Sequence, residues 1–338
     1  MSVGIDIGSK TIKIVELVPA GNVWKLNGSG VIGYQGVPPD QAKDERDLAS
    51  IAQVIKKLHT EARISSKDVS ISLPEPLVFT RTIKFPPLTD QEIASAVKWE
   101  AEQYVPIPIN EAIVQHQIIE RRQNITPPEV LVLLVAAPRK LVETYVKAVQ
   151  LAGLNVVGVE TELMSLTRGL APINQTVLIA DFGAKSTDIA IAKNGQLSFS
   201  RSIPTAGEAF TRAVAQTLGI ELQQAEEYKR TYGLEGAQLE GKIKGALDPV
   251  FNIVIDEIKK AIHFYQSEEK GDMPKTIILS GGTSGMPQAL PLISKAIGIE
   301  VIIGNPFSRI SVDQQALKTI APYAPLYSIA VGLALRGA

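Results

Sequence analysis

Apolar residues recur along this chain with two periods, and the alternation between them predicts the order of its elements. Runs rich in Val and Ile read as strands at Ile5 to Leu17, Trp24 to Ile32, Val69 to Leu73, Val78 to Phe85, Ile113 to Glu120, Val130 to Ala137, Leu154 to Val159, Val177 to Ala180 and Thr276 to Ser280. Leu48, Ile51, Ala52, Ile55 and Leu58 fall on one face at helical spacing and predict a helix over Asp47 to Ala62. Thr89-Asp90-Gln91-Glu92 opens a second helix as a capping box, in which the Thr89 hydroxyl and the Glu92 carboxylate each satisfy a backbone N–H. Its apolar stripe is Ile93, Ala96, Val97, Ala101 and Tyr104, and Pro106 and Pro108 end it. Further helices are predicted at Arg139 to Ala152, Glu208 to Leu218, Leu222 to Tyr232, Asp248 to Glu268 and Tyr323 to Arg336, with a loop at Leu234 to Gly245. Strands and helices that alternate in this way imply an α/β architecture.

At 338 residues the chain exceeds one ordinary core and predicts two or three compact units. Its 34 basic and 35 acidic residues nearly cancel, which argues against general attraction to nucleic acid or to anionic membranes. The longest apolar run, Val130 to Ala137, is far short of the ~20 residues of a spanning helix. The chain opens directly on Val3-Gly4-Ile5-Asp6-Ile7-Gly8 rather than on a basic segment and an apolar run, so a cytoplasmic protein is expected, with any membrane association coming through a partner. The absence of cysteine excludes disulfides and thiolate metal sites, and His59, His116 and His263 are too scattered to suggest a cluster.

Three glycine turns carry the candidate chemistry. In Asp6-Ile7-Gly8-Ser9-Lys10-Thr11-Ile12-Lys13 an acidic residue ends a strand, and a glycine follows where the backbone can approach phosphate oxygens. Hydroxyls at Ser9 and Thr11 can donate to such oxygens, Lys10 and Lys13 can neutralise their charge, and Asp6 suits a metal. Alone, the segment is equally a hairpin turn. The same parts recur at Asp181-Phe182-Gly183-Ala184-Lys185-Ser186-Thr187-Asp188, which makes the chain look like a duplication with one phosphate-facing hairpin per half. Asp181-Phe182-Gly183 also imitates a protein-kinase triplet, but no His-Arg-Asp loop accompanies it. The third turn is Leu279-Ser280-Gly281-Gly282-Thr283-Ser284-Gly285-Met286, which runs from a strand into a helix and could lay backbone against a base or ribose.

This combination resembles the superfamily of actin, sugar kinases and heat-shock-chaperone ATPases. The resemblance implies a duplicated ribonuclease-H-like, two-lobe fold with ATP and Mg²⁺ in the cleft. Asp6, Gly8, Ser9 and Lys13 are similar to the first phosphate loop, Asp181, Gly183 and Thr187 to the second, and Ser280-Gly281-Gly282-Thr283 to the adenosine loop. By the same resemblance Glu226 would meet the ribose hydroxyls and Lys229 the adenine; their alternative is an exposed i,i+3 ion pair. Gly207 would approach the nucleotide, with Ala206 where relatives more often carry a second glycine.

Within the superfamily the chain is most similar to the PilM family of type IV pilus assembly proteins. The passages that carry this are Ala96-Val-Lys-Trp-Glu-Ala-Glu-Gln-Tyr-Val-Pro-Ile-Pro108, Leu134-Val-Ala-Ala-Pro138, Ala152-Gly-Leu154, Leu197-Ser-Phe-Ser-Arg-Ser-Ile-Pro204 and Gly332-Leu-Ala-Leu-Arg336. The implied organisation is a first lobe at 1–85, an inserted FtsA-like subdomain at 86–159, a returning helix at 160–175 and a second lobe at 176–338, with a helical part at 204–270. The implied partner is the cytoplasmic amino-terminal peptide of PilN, seated in a groove between the first lobe and the insert beside Trp99 and Tyr104; pilus motor ATPases and further copies of the chain are additional implied partners. The implied catalytic set is Glu160, which would align water, with Asp6 and Asp181, which would hold Mg²⁺ through its water shell. Glu160 has the alternative of pairing with a nearby lysine or arginine. Three rival readings stay open: a slow ATPase and a nucleotide-binding scaffold without catalysis are not separated, a sugar or acid kinase would need a second substrate pocket, and an FtsA-like filament protein would be expected to end in an amphipathic membrane helix where this chain reads Arg336-Gly337-Ala338.

Overall fold

Gly8 cuts the first long apolar run in two. In the computed structural model, which describes residues 1–337, that run forms β1 (Ser2–Ile7) and β2 (Thr11–Ala20), an antiparallel pair with Asp6 opposite Lys13. Next come β3 (Val23–Gly33), α1 (Glu45–Glu61), whose N-terminus is capped by the Asp44 carboxylate, and β4 (Asp68–Leu73), parallel to β1. The chain then leaves the first lobe through β5 (Phe79–Phe85), α2 (Asp90–Tyr104), β6 (Ala112–Arg122) and β7 (Glu129–Pro138), and returns by α3 (Arg139–Leu151) and β8 (Asn155–Thr161). α2 carries the capping box read from the sequence.

The boundaries of the insert differ from the expected 86–159. β5 belongs to the insert, pairing with β7 in the sheet β5-β7-β6, whose Ile83 and Phe85 pack against Ile93, Val97 and Ala101 of α2. In contrast, α3 and β8 belong to the first lobe. Leu141, Tyr145, Ala148 and Val149 enter its core beside α1, and β8 lies parallel to β4. Pro86 and Pro87 end a strand ladder that they cannot continue, but they do not mark a change of sheet.

α4 (Glu162–Leu170) crosses to the second lobe, which contains β9 (Thr176–Phe182), β10 (Thr187–Lys193), β11 (Gln196–Ile203), α5 (Gly207–Leu218), α6 (Leu222–Tyr232), α7 (Lys242–Ser267) and β12 (Thr276–Ser280). α7 starts a turn and a half before the expected Asp248: Pro249 gives up one N–H, but buried Ile243, Ala246 and Leu247 hold the turns before it in the core. Between Met286 and Tyr323 lie α8 (Ala289–Ile297), the helix into which the third turn was expected to run, and β13 (Glu300–Ile303), β14 (Ile310–Ser311) and α9 (Gln314–Ile320), for which no element was expected. The expected closing helix is tight 3₁₀ turns over Ala321–Tyr327, around Pro325, followed by α10 (Ser328–Ala334). The sheets run β14-β3-β2-β1-β4-β8 and β11-β10-β9-β12-β13, and in both a β-hairpin lies beside parallel strands.

Two packed seams are among the contacts that tie the lobes together. α4 and α10 cross so closely that a Cβ on Gly332 would lie 1.8 Å from the Ser165 carbonyl oxygen, and one on Gly169 2.8 Å from that of Ser328. The insert, although it springs from the first lobe, packs Ile119, Leu133 and Val135 onto Ala190, Ala192 and Leu197 of the second. Around that seam Thr82 donates to the Ser198 carbonyl at 2.6 Å, Arg122 to that of Glu269 at 3.0 Å, and Lys193 pairs with Glu120 at 3.3 Å.

Candidate functional site

The β1–β2 turn closes through the Gly8 N–H donating to the Thr11 carbonyl at 3.1 Å. A Cβ on Gly8 would stand 3.2 Å from Lys13 Nζ, so the bare glycine leaves room beside the ammonium. Lys13 donates to Asp6 Oδ2 at 2.9 Å. Burial alone would lower the lysine's pKa, but Asp6, Asp181 and Glu162 outweigh it and hold the ammonium charged. Asp6 is only 1% exposed, and its Oδ1 is buried without a partner.

The second turn repeats this design. The Gly183 N–H donates to the Ser186 carbonyl at 3.0 Å, and Thr187 Oγ1 to that of Thr205 at 2.7 Å. Asp181 lies opposite Asp188 on β10 and beside Ser280 on β12. Asp188 accepts from Ser186 Oγ at 2.7 Å, while its Oδ1 is buried and unpartnered. Burial, then the Asp188 charge, pushes Asp181 up to about 7; burial takes Asp188 to about 6. Lys185 points to solvent.

At the third turn Gly281 has φ +84°, and a Cβ there would strike the Phe182 carbonyl oxygen at 2.5 Å and Asp181 Oδ1 at 2.9 Å, so glycine is required. The Thr283 N–H donates to the Phe182 carbonyl at 3.2 Å, Ser284 Oγ to that of Gly281 at 2.7 Å, and Met286 is buried behind the loop, whereas Gly282 abuts Leu326.

The second and third turns meet at Gly207. Its missing Cβ would be 2.7 Å from Thr283 Oγ1, 3.1 Å from the Gly183 carbonyl oxygen and 3.6 Å from Lys229 Nζ. The next N–H, of Glu208, donates to the Ala184 carbonyl at 2.8 Å, and the Glu208 carboxylate reaches across the cleft to Lys10 at 3.2 Å. Ala206 is extended, a conformation open to any residue, so the lost second glycine does not strain this loop. Lys229 is 3% exposed and donates to the Gly207 carbonyl at 3.2 Å, Thr211 Oγ1 at 3.1 Å and Glu226 Oε2 at 2.6 Å. The two thus form the i,i+3 ion pair, with Lys229 buried and the Glu226 side chain partly exposed. Burial depresses the Lys229 pKa; for Glu226 burial is outweighed by bonds from Lys229 and Thr211, which hold its carboxylate below the usual range.

Glu160 takes the alternative left open by the sequence. Its Oε1 accepts from Arg168 at 2.5 Å and from Ser165 at 2.9 Å, and its Oε2 from Arg168 at 2.8 Å, a bidentate pair that Arg168 also anchors to the Gly332 carbonyl. Three other carboxylates, absent from the expected set, face the cleft's charge instead. Glu162 is raised well above the usual range by burial and by Asp6 and Asp188. Glu75 is raised to about 7 by burial and Asp188, and Asp188 itself ends the second motif. Among the described residues no three acidic or histidine side chains are close enough to hold a metal directly, so a cation here would keep part of its water shell.

Glu75 makes the apo protein pH-sensitive. Its folded pKa of about 7 exceeds the ordinary glutamate value of about 4.5, so the folded state holds a proton that the unfolded chain releases, and stability falls as pH rises from about 4.5 through 7. That difference corresponds to about 3 kcal/mol. Glu75→Gln is therefore expected to raise stability at pH 8 but not at pH 4. Urea midpoints at the two pH values check this, and an equal gain at both would show a cause other than titration.

The chain matches the family model for Type IV pilus assembly protein PilM over residues 4–338. It belongs to the PilM family. A solved PilM-PilN type IV pilus biogenesis complex superposes with a TM-score of 0.84 at 27% identity, covering 99% of this chain and 98% of that one. The cell division protein FtsA of Pseudomonas aeruginosa is 25% identical, with 100% of this chain and 89% of that protein covered. At 14% identity, MreB5 of Spiroplasma citri bound to AMPPNP shares the fold, with a TM-score of 0.54. The PilM-family chain is thus an actin-like, two-lobe protein of pilus assembly, and no helix among its described residues is long and apolar enough to cross a membrane. Its insert carries Trp99 on the outer side of α2, 73% exposed, and Tyr104 beneath the Arg81 guanidinium, 4.0 Å from the ring centre.

Proposed function

We propose that this protein is a nucleotide-dependent adaptor of the type IV pilus inner-membrane platform, which holds Mg·ATP in its cleft and binds the cytoplasmic amino-terminal segment of a PilN partner. The observation that carries the reading is the convergence at Gly207, where a phosphate turn, the adenosine-type turn and Lys229 come together on backbone left bare by glycine. The residues present suit the ligand. Lys10 and Lys13 face the phosphate side, and Asp6 Oδ1 and Asp188 Oδ1 are buried acceptors without a donor. Glu226 suits ribose hydroxyls, and the stem of Lys229 with Gly281 and Gly282 suits the base. Mg²⁺ would supply neutralisation of phosphate charge, held by Asp6 and Asp181 through water. The turns at Gly8 and Gly183 would orient the phosphates with backbone N–H groups, and the lobes would exclude solvent.

The partner is expected in the groove between the first lobe and the insert. Similarity to a PilM-PilN complex supports that partner, and the seam between insert and second lobe gives the coupling: a subdomain covalently part of one lobe and packed on the other moves when the lobes close. Slow turnover or none suits such an adaptor, because nucleotide fixes the closure state. Calorimetric titration of ATP, with Mg²⁺ and then with EDTA, tests the cleft. Titration of a PilN amino-terminal peptide into the apo and loaded protein tests the coupling. Magnesium-dependent saturation and a peptide affinity that differs between the two states are expected; absent ATP heat excludes the first claim, and equal peptide affinities exclude the second.

A further inference from the structure

The two phosphate turns hold their glycine carbonyls by different means. In the second, the Gly183 carbonyl accepts from the Gly207 N–H at 3.1 Å, a donor in the segment that follows β11. In the first, the matching Gly8 carbonyl accepts from the Tyr34 hydroxyl at 2.9 Å, and Tyr34 is the residue that follows β3. β3 and β11 occupy the same place in the two sheets. Each pairs with the strand that leaves the turn, Thr11 lying opposite Gly33 and Thr187 opposite Ile203. The Tyr34 N–H also donates to the Lys10 carbonyl at 3.3 Å, so one residue grips the turn at two of its carbonyls. Across a planar trans peptide the C=O and the following N–H point in opposite directions. Holding the Gly8 carbonyl toward Tyr34 therefore aims the Ser9 N–H away from it, and that N–H has no backbone acceptor among the described residues. Glycine restricts the rotation of this peptide plane less than any other residue would, so the hold has to come from outside the turn.

We propose that Tyr34 is the positioning residue of the first phosphate turn: its hydroxyl fixes the Gly8–Ser9 peptide so that the Ser9 N–H is presented to a phosphate oxygen of the nucleotide. The inference rests on the reading of the cleft as a Mg·ATP site. Backbone N–H groups make an anion cradle when they already point at the ligand, because no ordering cost then falls on binding. The second turn has this hold built into its backbone through Gly207, whereas the first borrows a side chain. The phenol is a steady donor here. Burial, then the charges of Asp40 and Asp6, raise its pKa, so it keeps its proton. The loop beyond Tyr34 is held in its turn by α3, where buried Tyr145 donates to Asp40 Oδ1 at 3.1 Å.

The test compares the wild type with Tyr34→Phe, which removes the hydroxyl and keeps the ring, and with Tyr145→Phe, which frees Asp40 and leaves the Tyr34 hydroxyl in place. Calorimetry gives affinities for Mg·ATP and Mg·ADP, and NMR titration gives that for adenosine. Tyr34→Phe is expected to lose about 10-fold in affinity for both nucleotides, as for one charge-assisted hydrogen bond, and to bind adenosine within about twofold of wild type. Tyr145→Phe is expected to lose less than about threefold for either nucleotide. In the wild type, bound ATP should slow hydrogen exchange at the Ser9 amide about 10-fold or more. Should Tyr34→Phe not fold, that exchange rate decides alone. Wild-type nucleotide affinity in Tyr34→Phe overturns the proposal. So does an equal loss for adenosine, which would make Tyr34 a support for the whole lobe, or an equal loss in Tyr145→Phe, which would place the effect in the loop and not in the hydroxyl. A Ser9 amide that exchanges at one rate with and without ATP overturns it as well. A wild type that fails to bind Mg·ATP removes the cleft reading, and this proposal with it.

Discussion

Gly332→Ala is expected to destabilise the protein by about 3 kcal/mol or more, a large share of the roughly 5–15 kcal/mol of a typical domain. The added Cβ would lie 1.8 Å from the Ser165 carbonyl oxygen and 2.5 Å from its carbon, both backbone atoms of α4 that cannot swing aside. Relief requires α10 to move away from α4. That movement is blocked on the opposite side, where the space of a Cβ on Gly4 of β1 is already filled by the Ala330 carbonyl at 2.1 Å. It would also open the core in which Leu163 and Leu166 of α4 meet Ile329 and Leu333 of α10. Because these helices are the crossing between lobes, survivors of the change should also close poorly on nucleotide. Gly245→Ala is the control: nothing lies within 4 Å of its Cβ position in α7, and alanine there is expected to gain about 0.5–1 kcal/mol. Urea denaturation of both variants decides the matter, and similar midpoints would show that the crossing is not tight.

The parts of this protein that were legible in its sequence are those whose geometry is local. Gly8 and Gly183 announce turns because a backbone reversal beside an acidic strand end has few other solutions, and Thr89 with Glu92 announces a helix start because the cap closes within one turn. The insert's boundary was not local. Pro86 and Pro87 look like a border, yet β5 joins the insert through β7, more than forty residues on in the chain, and only that pairing reveals its sheet. The carboxylates were harder still. Glu160 and Glu162 are two residues apart and chemically identical; what separates them is that Arg168 reaches Glu160 from α4, while the Glu75 backbone N–H, brought in by β4, bonds Glu162. Counting back from Gly169-Leu170 by resemblance selects the first, and only the tertiary structure shows that Arg168 and Ser165 pair with it. Lys229 shows the converse: spacing leaves an exposed ion pair open, and the pair does form, but with the Lys229 end buried against the Gly207 carbonyl.

Asp181→Ala is expected to separate binding from stability with opposite signs. Asp181 sits beside Asp188 in a buried site, and burial and that neighbour push its pKa to about 7. A carboxylate raised in the folded state favours folding only while protonated, so at pH 8 the ionised Asp181 opposes folding, and at pH 5 it does not. Removing it should therefore leave the apo protein as stable at pH 5 as the wild type and more stable at pH 8, less the small cost of the cavity left behind. Binding runs the other way. A divalent cation needs that negative charge, and loss of one charge-assisted hydrogen bond to its water shell is worth up to about 3 kcal/mol, or about 100-fold in Mg·ATP affinity. ATP titrated in EDTA should lose far less, because Lys10, Lys13 and the glycine turns remain. Melting curves at pH 5 and pH 8, with calorimetry in Mg²⁺ and in EDTA, give four numbers from one variant. A folded Asp181→Ala protein with wild-type Mg·ATP affinity would remove Asp181 from the cation site; equal losses with and without Mg²⁺ would instead make it a support for the loop, acting through Ser280 and Gly281 rather than through charge.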